Sequence, residues 1–179
     1  MLLVVQNASA RDRNHQLEEG REQMIELIAT AGIMASSVLL FAYWFRYTCL
    51  LIISAKTTRD YAASVATANQ LGFLEVQSQL SDSAPGQVGL PELDRLKDAL
   101  DRDYKVLTYL LKNAANGSTG EDSIEKRMLE INYRVMRAWY GVSRQFSHSA
   151  ACRAIEEMSL VVAHFANAMG ERSAASAAA

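Results

Sequence analysis

His148, Cys152 and Glu156 recur at every fourth position, so a regular helix would carry them as one stripe. Imidazole, thiolate and carboxylate are all zinc ligands. Three ligands stacked along one helix cannot surround an ion, however, and a second element would have to close the site. A small-residue face with a buried thiol and two solvated polar groups suits a free cysteine better. The other histidines extend no pattern. A carboxylate-bridged di-iron bundle needs Glu-x-x-His, but Val161 precedes His164 and Gln145 precedes His148 at that spacing. Cys49 and Cys152 are the only cysteines and form neither a Cys-x-x-Cys motif nor a disulfide framework. No glycine-rich phosphate loop or Gly-x-Ser-x-Gly elbow occurs. The sequence assigns no catalytic, metal-binding or cofactor-binding residues, and the expectation is a protein that is not an enzyme.

Two other groupings fit recognition better than catalysis. Arg134, Arg137, Trp139, Tyr140 and Arg144 bring together the residue types enriched in binding hot spots. Equally, Trp139 could complete a core while the arginines solvate its edge. The second grouping surrounds Arg46, which is flanked by Phe41, Tyr43, Trp44, Phe45 and Tyr47. Aromatic residues of this kind gather where a helix crosses the headgroup level of a bilayer, and an arginine there can snorkel to the interface. The competing reading buries Arg46 within a span of about 34–55, paired to an acid on a partner helix.

Arg46 is the one charge in the stretch 27–55. Leu27–Phe45 alone is uncharged and close to the length of about 20 residues that a spanning helix needs. Apolar residues cover every side between Ile33 and Phe45, as they do on a helix buried in lipid or deep in protein. Gly32 and Ser36, like Ala31 and Ala35, are small-xxx-small pairs that let another membrane helix approach closely. The segment is read as a single transmembrane helix. The alternative is a soluble regulatory bundle that buries this helix in its core or in a homodimer.

The 179 residues suit one domain plus an anchor. Lys plus Arg number 18 against 20 Asp plus Glu, a balance that makes no case for nucleic-acid binding. The opening Met-Leu-Leu-Val-Val is too short for a signal-peptide core.

Around the span, a polar segment 1–26 precedes it, and a single helix from about Asn14 to Leu80 would reach about 100 Å at 1.5 Å per residue. Tyr61, Val65, Ala68, Leu71 and Leu74 then share one helical face. Pro85, Gly86 and Gly89 mark a linker, and Pro91 fits a first helical turn. The next seam is Leu93, Leu96, Leu100, Tyr104 or Asp103, Leu107 and Leu111. Asn113–Gly120 ends it. Ile124, Met128, Ile131, Val135, Ala138 and Val142 form a third seam; Ile155, Met158, Val162, Phe165 and Met169 form a fourth. The last two differ in phase, so either a turn lies near Ser147–Ser149 or one long helix bends there. The tail 171–179 is low-complexity and expected to fray into disorder.

These spacings predict an all-α fold: a long N-terminal helix containing the span, then a bundle over 56–170 with helices at 57–81, 91–115, 121–146 and 150–170. A compact up-and-down bundle is favoured over an antiparallel coiled-coil hairpin. The expected role is a membrane-anchored, single-pass scaffold, adaptor or accessory subunit. Its partners would be lipid and another membrane protein or itself. Arg46, Lys56 and Arg59 after the span lie closer to it than Arg11, Arg13 and Arg21 before it, and place the C-terminal bundle in the cytoplasm.

Overall fold

The structure, a computed structural model, describes residues 2–54, 60–82, 88–113 and 120–178. Among the described residues there are six helices and no strand: α1 (Leu2–Ser54), α2 (Ala62–Asn69), α3 (Phe73–Asp82), α4 (Leu90–Asn113), α5 (Gly120–Ser143) and α6 (His148–Ala178). The chain divides into two compact units, Met1–Tyr47 and Thr48–Ala179.

Within α1, Met24–Ser54 is long and apolar enough to cross a membrane, the one such segment among the described residues. Every residue from Met24 to Trp44 is exposed. The serines of this stretch are accommodated locally, with Ser36 Oγ donating to the Gly32 carbonyl at 2.8 Å and Ser37 Oγ to that of Ile33 at 2.9 Å. Each hydroxyl thereby finds an acceptor on its own helix, which is how an apolar helix carries serine without a polar neighbour. The buried residues of the second unit begin at Cys49.

Two boundaries differ from expectation. The continuous helix expected from Asn14 to Leu80 is interrupted at Asp60 and Tyr61; α1 is described to Ser54, residues 55–59 lie outside the described residues, and α2 begins at Ala62, whose N–H is capped by Asp60 Oδ1 at 3.0 Å. The helix expected over 57–81 is then broken at Gln70, which adopts the left-handed conformation with φ 53°. Leu71 N–H reaches back to the Ala66 carbonyl at 2.9 Å and Gln70 N–H to that of Thr67 at 3.5 Å, a Schellman stop made without glycine. The buried face therefore becomes Ala62, Ala66, Phe73 and Val76, while Ala68 and Leu74 stay exposed.

The second unit is a bundle organised on α6, which contacts α2, α3, α4 and α5. Ile155, Met158, Val161, Val162 and Phe165 form its buried spine. Leu93, Leu96, Leu100, Leu107 and Leu111 of α4 are buried as the seam predicts. Each fully buried leucine contributes about 1.5–3 kcal/mol. Asp103, not Tyr104, takes the seam's polar position and is fully buried. Its Oδ2 accepts the Gly72 N–H at 2.7 Å, so α4 supplies the cap for the start of α3. Residues 121–170 form two helices, separated by a turn in which Phe146 and Ser147 N–H both bond to the Ser143 carbonyl. α6 continues to Ala178, so the segment expected to fray is helical through that residue.

The largest correction concerns α5. Ile124, Ile131, Val135 and Val142, expected in the core, are exposed, as is Ala138. Leu129, Asn132, Tyr133, Met136, Tyr140 and Ser143 are buried instead. The helix is turned so that two tyrosines enter the core with their hydroxyls reaching carboxylates on α4. An apolar face has no equivalent demand for a particular neighbour.

Candidate functional site

The α4–α5 seam carries the most organised polar chemistry among the described residues. Asp94 and Asp101 lie seven residues apart on α4, and Tyr133 and Tyr140 lie seven apart on α5. Tyr133 Oη donates to Asp101 Oδ1 at 3.0 Å, and Tyr140 Oη to Asp94 Oδ1 at 2.9 Å. One turn further along α5, Arg137 Nε meets Asp101 Oδ2 at 3.0 Å and Arg144 Nη1 meets Asp94 Oδ1 at 2.9 Å. The same three-residue clasp is thus made twice, two helical turns apart, which pins the register of an antiparallel pair. Lys97 bridges Asp98 at 2.8 Å and Asp101 at 3.1 Å.

The electrostatics follow from these contacts. Burial first, then the neighbouring aspartate, pushes both tyrosine hydroxyls well above their ordinary ionisation range. The hydrogen bond between them raises Lys97 and lowers Asp98. All four groups therefore keep their usual protonation at neutral pH. The clasps hold two helices together; nothing in them is poised to transfer a proton.

Above the clasps runs a groove of about 350 Å³ lined by Asp94, Lys97, Arg134, Arg137, Ala138, Tyr140, Gly141 and Arg144. Nothing lies within 4 Å of where a Cβ on Gly141 would be, so the absence of a side chain leaves room in its floor. Of the four cations that line it, Lys97, Arg137 and Arg144 are already paired with Asp98, Asp101 and Asp94, and Arg134 adds a further guanidinium to its wall.

The groove unites Arg134, Arg137, Tyr140 and Arg144 of the expected docking patch. Tyr140 enters by its hydroxyl edge only, since its ring is in the core at 1 % exposure. Trp139 is half-exposed on a different face of α5, so it neither lines the groove nor completes the core. The remaining candidates lie in the first unit. Gly32 has open space around it, and Ser36 is turned toward the Gly32 carbonyl. Tyr43, Trp44, Arg46 and Tyr47 are all exposed. Asp94, Lys97 and Asp101 were not singled out by sequence reasoning as functional. Their heptad match to Tyr133 and Tyr140 is a signal only once antiparallel pairing of the two helices is assumed.

The His148 stripe resolves into structural contacts. His148 Nε2 pairs with the Val88 carbonyl at 2.6 Å, and Cys152 Sγ lies 3.6 Å from His148 Nδ1. Burial raises the Cys152 thiol, and Glu156 is exposed. Among the described residues no group of three His, Cys, Asp or Glu side chains is placed to hold a metal ion.

Comparison with protein-family models, with curated proteins and with solved structures finds no match.

Proposed function

We propose that the chain is a single-pass membrane-anchored helical interaction protein, a scaffold, adaptor or accessory subunit, and that it is not an enzyme. The observation that carries this is the unbroken exposure of Met24–Trp44 along a helix long and apolar enough to span. An exposed apolar surface of that extent in water marks a membrane or protein contact. The unit beginning at Thr48 assembles its own buried core, which suits an anchor-plus-domain arrangement.

In this reading the span is about Leu27–Phe45, and Arg46 with Tyr43, Trp44 and Tyr47 marks one headgroup boundary. The first buried residue of the bundle, Cys49, follows within one helical turn. The cations after the span assign the bundle to the cytoplasmic side, and its Arg134–Arg137–Arg144 groove is offered to an acidic segment of a partner. Gly32 and Ser36 offer a close-packing face for another membrane helix, from a partner or from a second copy.

Alkaline carbonate extraction of membranes from expressing cells tests the anchor. Retention in the pellet is expected; release into the supernatant would reject an integral span in favour of a soluble protein whose apolar helix is covered by another chain. A C-terminal alkaline phosphatase fusion tests orientation, with an inactive fusion expected for a cytoplasmic bundle.

A further inference from the structure

The face of α5 turned away from the bundle carries Ile124, Ile131, Val135, Trp139 and Val142, and Phe146 continues it into the following turn. All six are exposed, Trp139 by 50 % and Phe146 by 81 %. They advance by three, four or seven residues and keep one line along the helix, about 33 Å long at 1.5 Å per residue. Arg127 and Arg134 run beside that line on the side away from α6, and both are exposed. An apolar stripe containing Trp and Phe with arginines along its edge is the pattern of a helix lying in a membrane interface.

The chain's own path favours the same occupant. The last turns of α1, from Thr48 to Ser54, belong to the bundle unit. There the buried Cys49 sits with its Sγ 3.9 Å from the Met128 carbonyl oxygen. Met128 lies within the stripe's span, between Ile124 and Ile131. The stripe thus starts beside the point where α1 enters the bundle, a few residues past Arg46.

We infer that the Ile124–Phe146 face of α5 rests on the bilayer, its apolar side chains at the headgroup–acyl boundary and Arg127 and Arg134 against anionic lipid phosphates. This rests on the membrane-anchor reading, because that reading places the α1–bundle junction at the headgroup level. It adds a second membrane contact that fixes the orientation of the bundle. A second copy covering the stripe is the competing arrangement.

The two tryptophans, Trp44 and Trp139, separate these readings. The full chain is reconstituted into vesicles of phosphatidylcholine and phosphatidylglycerol, with and without brominated acyl chains. Trp44→Phe leaves Trp139 as sole reporter, and Trp139→Phe leaves Trp44. Brominated lipid should quench Trp139 severalfold more than iodide does, and Val135→Glu with Val142→Glu in the Trp44→Phe background should reverse that order. Replacing phosphatidylglycerol by phosphatidylcholine should weaken Trp139 quenching and leave Trp44 quenching unchanged. Trp139 quenched by iodide and not by brominated lipid would overturn the inference. Trp139 shielded from both would also overturn it, and would assign the stripe to a protein neighbour. Trp44 reports the anchor separately: if it escapes brominated lipid, the span is wrong whatever Trp139 does.

Discussion

Tyr140 on α5 reaches Asp94 on α4 at 2.9 Å, and seven residues earlier on α5 Tyr133 reaches Asp101 at 3.0 Å. Because α4 and α5 run antiparallel, one register satisfies both pairs, and the arginine four residues after each tyrosine joins the same carboxylate. Tyr133 is further fixed by stacking on Tyr104, with ring centroids 3.9 Å apart and planes within 4°.

The paired clasps predict sensitivity to alkali. Both tyrosines have ionisation pushed above the ordinary 10.0 by burial and by their aspartates. Their contribution to stability is therefore full below about pH 10, where the unfolded tyrosines ionise, and is lost as pH rises toward the folded values. Tyr133→Phe with Tyr140→Phe should cost about 0.5–1.5 kcal/mol per lost hydrogen bond at neutral pH. The double variant should also lose less stability than the wild type as pH rises above about 10. Helical circular dichroism in mild detergent, followed with tyrosinate absorbance through the alkaline range, checks both effects. A double variant with an unchanged alkaline transition would count against the clasps.

Asp103 predicts the opposite end of the scale. Burial raises its carboxyl, more than the Gly72 and Phe73 N–H groups and Arg102 lower it. A raised folded pKa means stability that is present below the unfolded value of 3.8 and is lost as pH rises through the folded one. Asp103→Asn keeps an acceptor for Gly72 and removes the buried charge, so it should gain on the wild type between about pH 4 and pH 7. Asp103→Ala should lose the cap and about 1–2 kcal/mol at either pH. Hydrogen exchange at the start of α3, measured at both pH values, distinguishes the two variants.

Gly170 predicts a steric effect. A Cβ there would overlap Tyr61 Cβ and Cγ and approach Val65 Cγ2 at 3.3 Å. Tyr61 is held in place by its own N–H, which donates to Asn167 Oδ1 at 2.8 Å, one turn before Gly170. Gly170→Ala should therefore destabilise the α2–α6 contact by about 1–3 kcal/mol, outweighing the gain of about 1 kcal/mol that alanine brings to a helix interior. Faster exchange confined to α2 and the middle of α6 would be the signature; a more stable protein would contradict the close approach.

How far these features could be read in advance depends on where their determinants lie. The seams of α4 and α6 were legible because Leu in α4, and Ile, Met, Val and Phe in α6, recur along one face, even though Asp103 and Glu157 are buried with them. α5 was not, because it carries two qualifying faces. One is wholly apolar; the other is Leu129, Tyr133, Met136 and Tyr140 with Asn132 among them. Periodicity prefers the first, yet the core takes the second, where Asn132 Nδ2 finds Glu157 Oε1 at 3.0 Å and the tyrosines find α4. Those partners lie on other helices and leave no trace in the local sequence. The break at Gln70 was hidden for a similar reason, since a left-handed residue that is not glycine carries no composition signal. Of the candidate groove, the arginines and Tyr140 were visible as residue types, and only the pairing of α4 with α5 gives them a shape.

Arg46 supplies the last prediction. If it marks the headgroup boundary, Arg46→Lys should be nearly silent, because a lysine stem snorkels equally well. Arg46→Leu should lengthen the uncharged run and leave the bundle folded, the helix tilting at fractions of a kcal/mol per Å of mismatch. If Arg46 instead pairs with a buried acid on another helix, lysine is a poor replacement for a bidentate fork. Losing one member of such a pair costs about 3–5 kcal/mol and should dissolve the assembly. Crosslinked oligomer or co-purified membrane partner is compared for wild type and both variants in mild detergent, with circular dichroism confirming that the bundle stays folded. Equal recovery in all three is the expected outcome. A sharp loss in Arg46→Lys would move the arginine from the membrane boundary into the middle of a helix–helix interface.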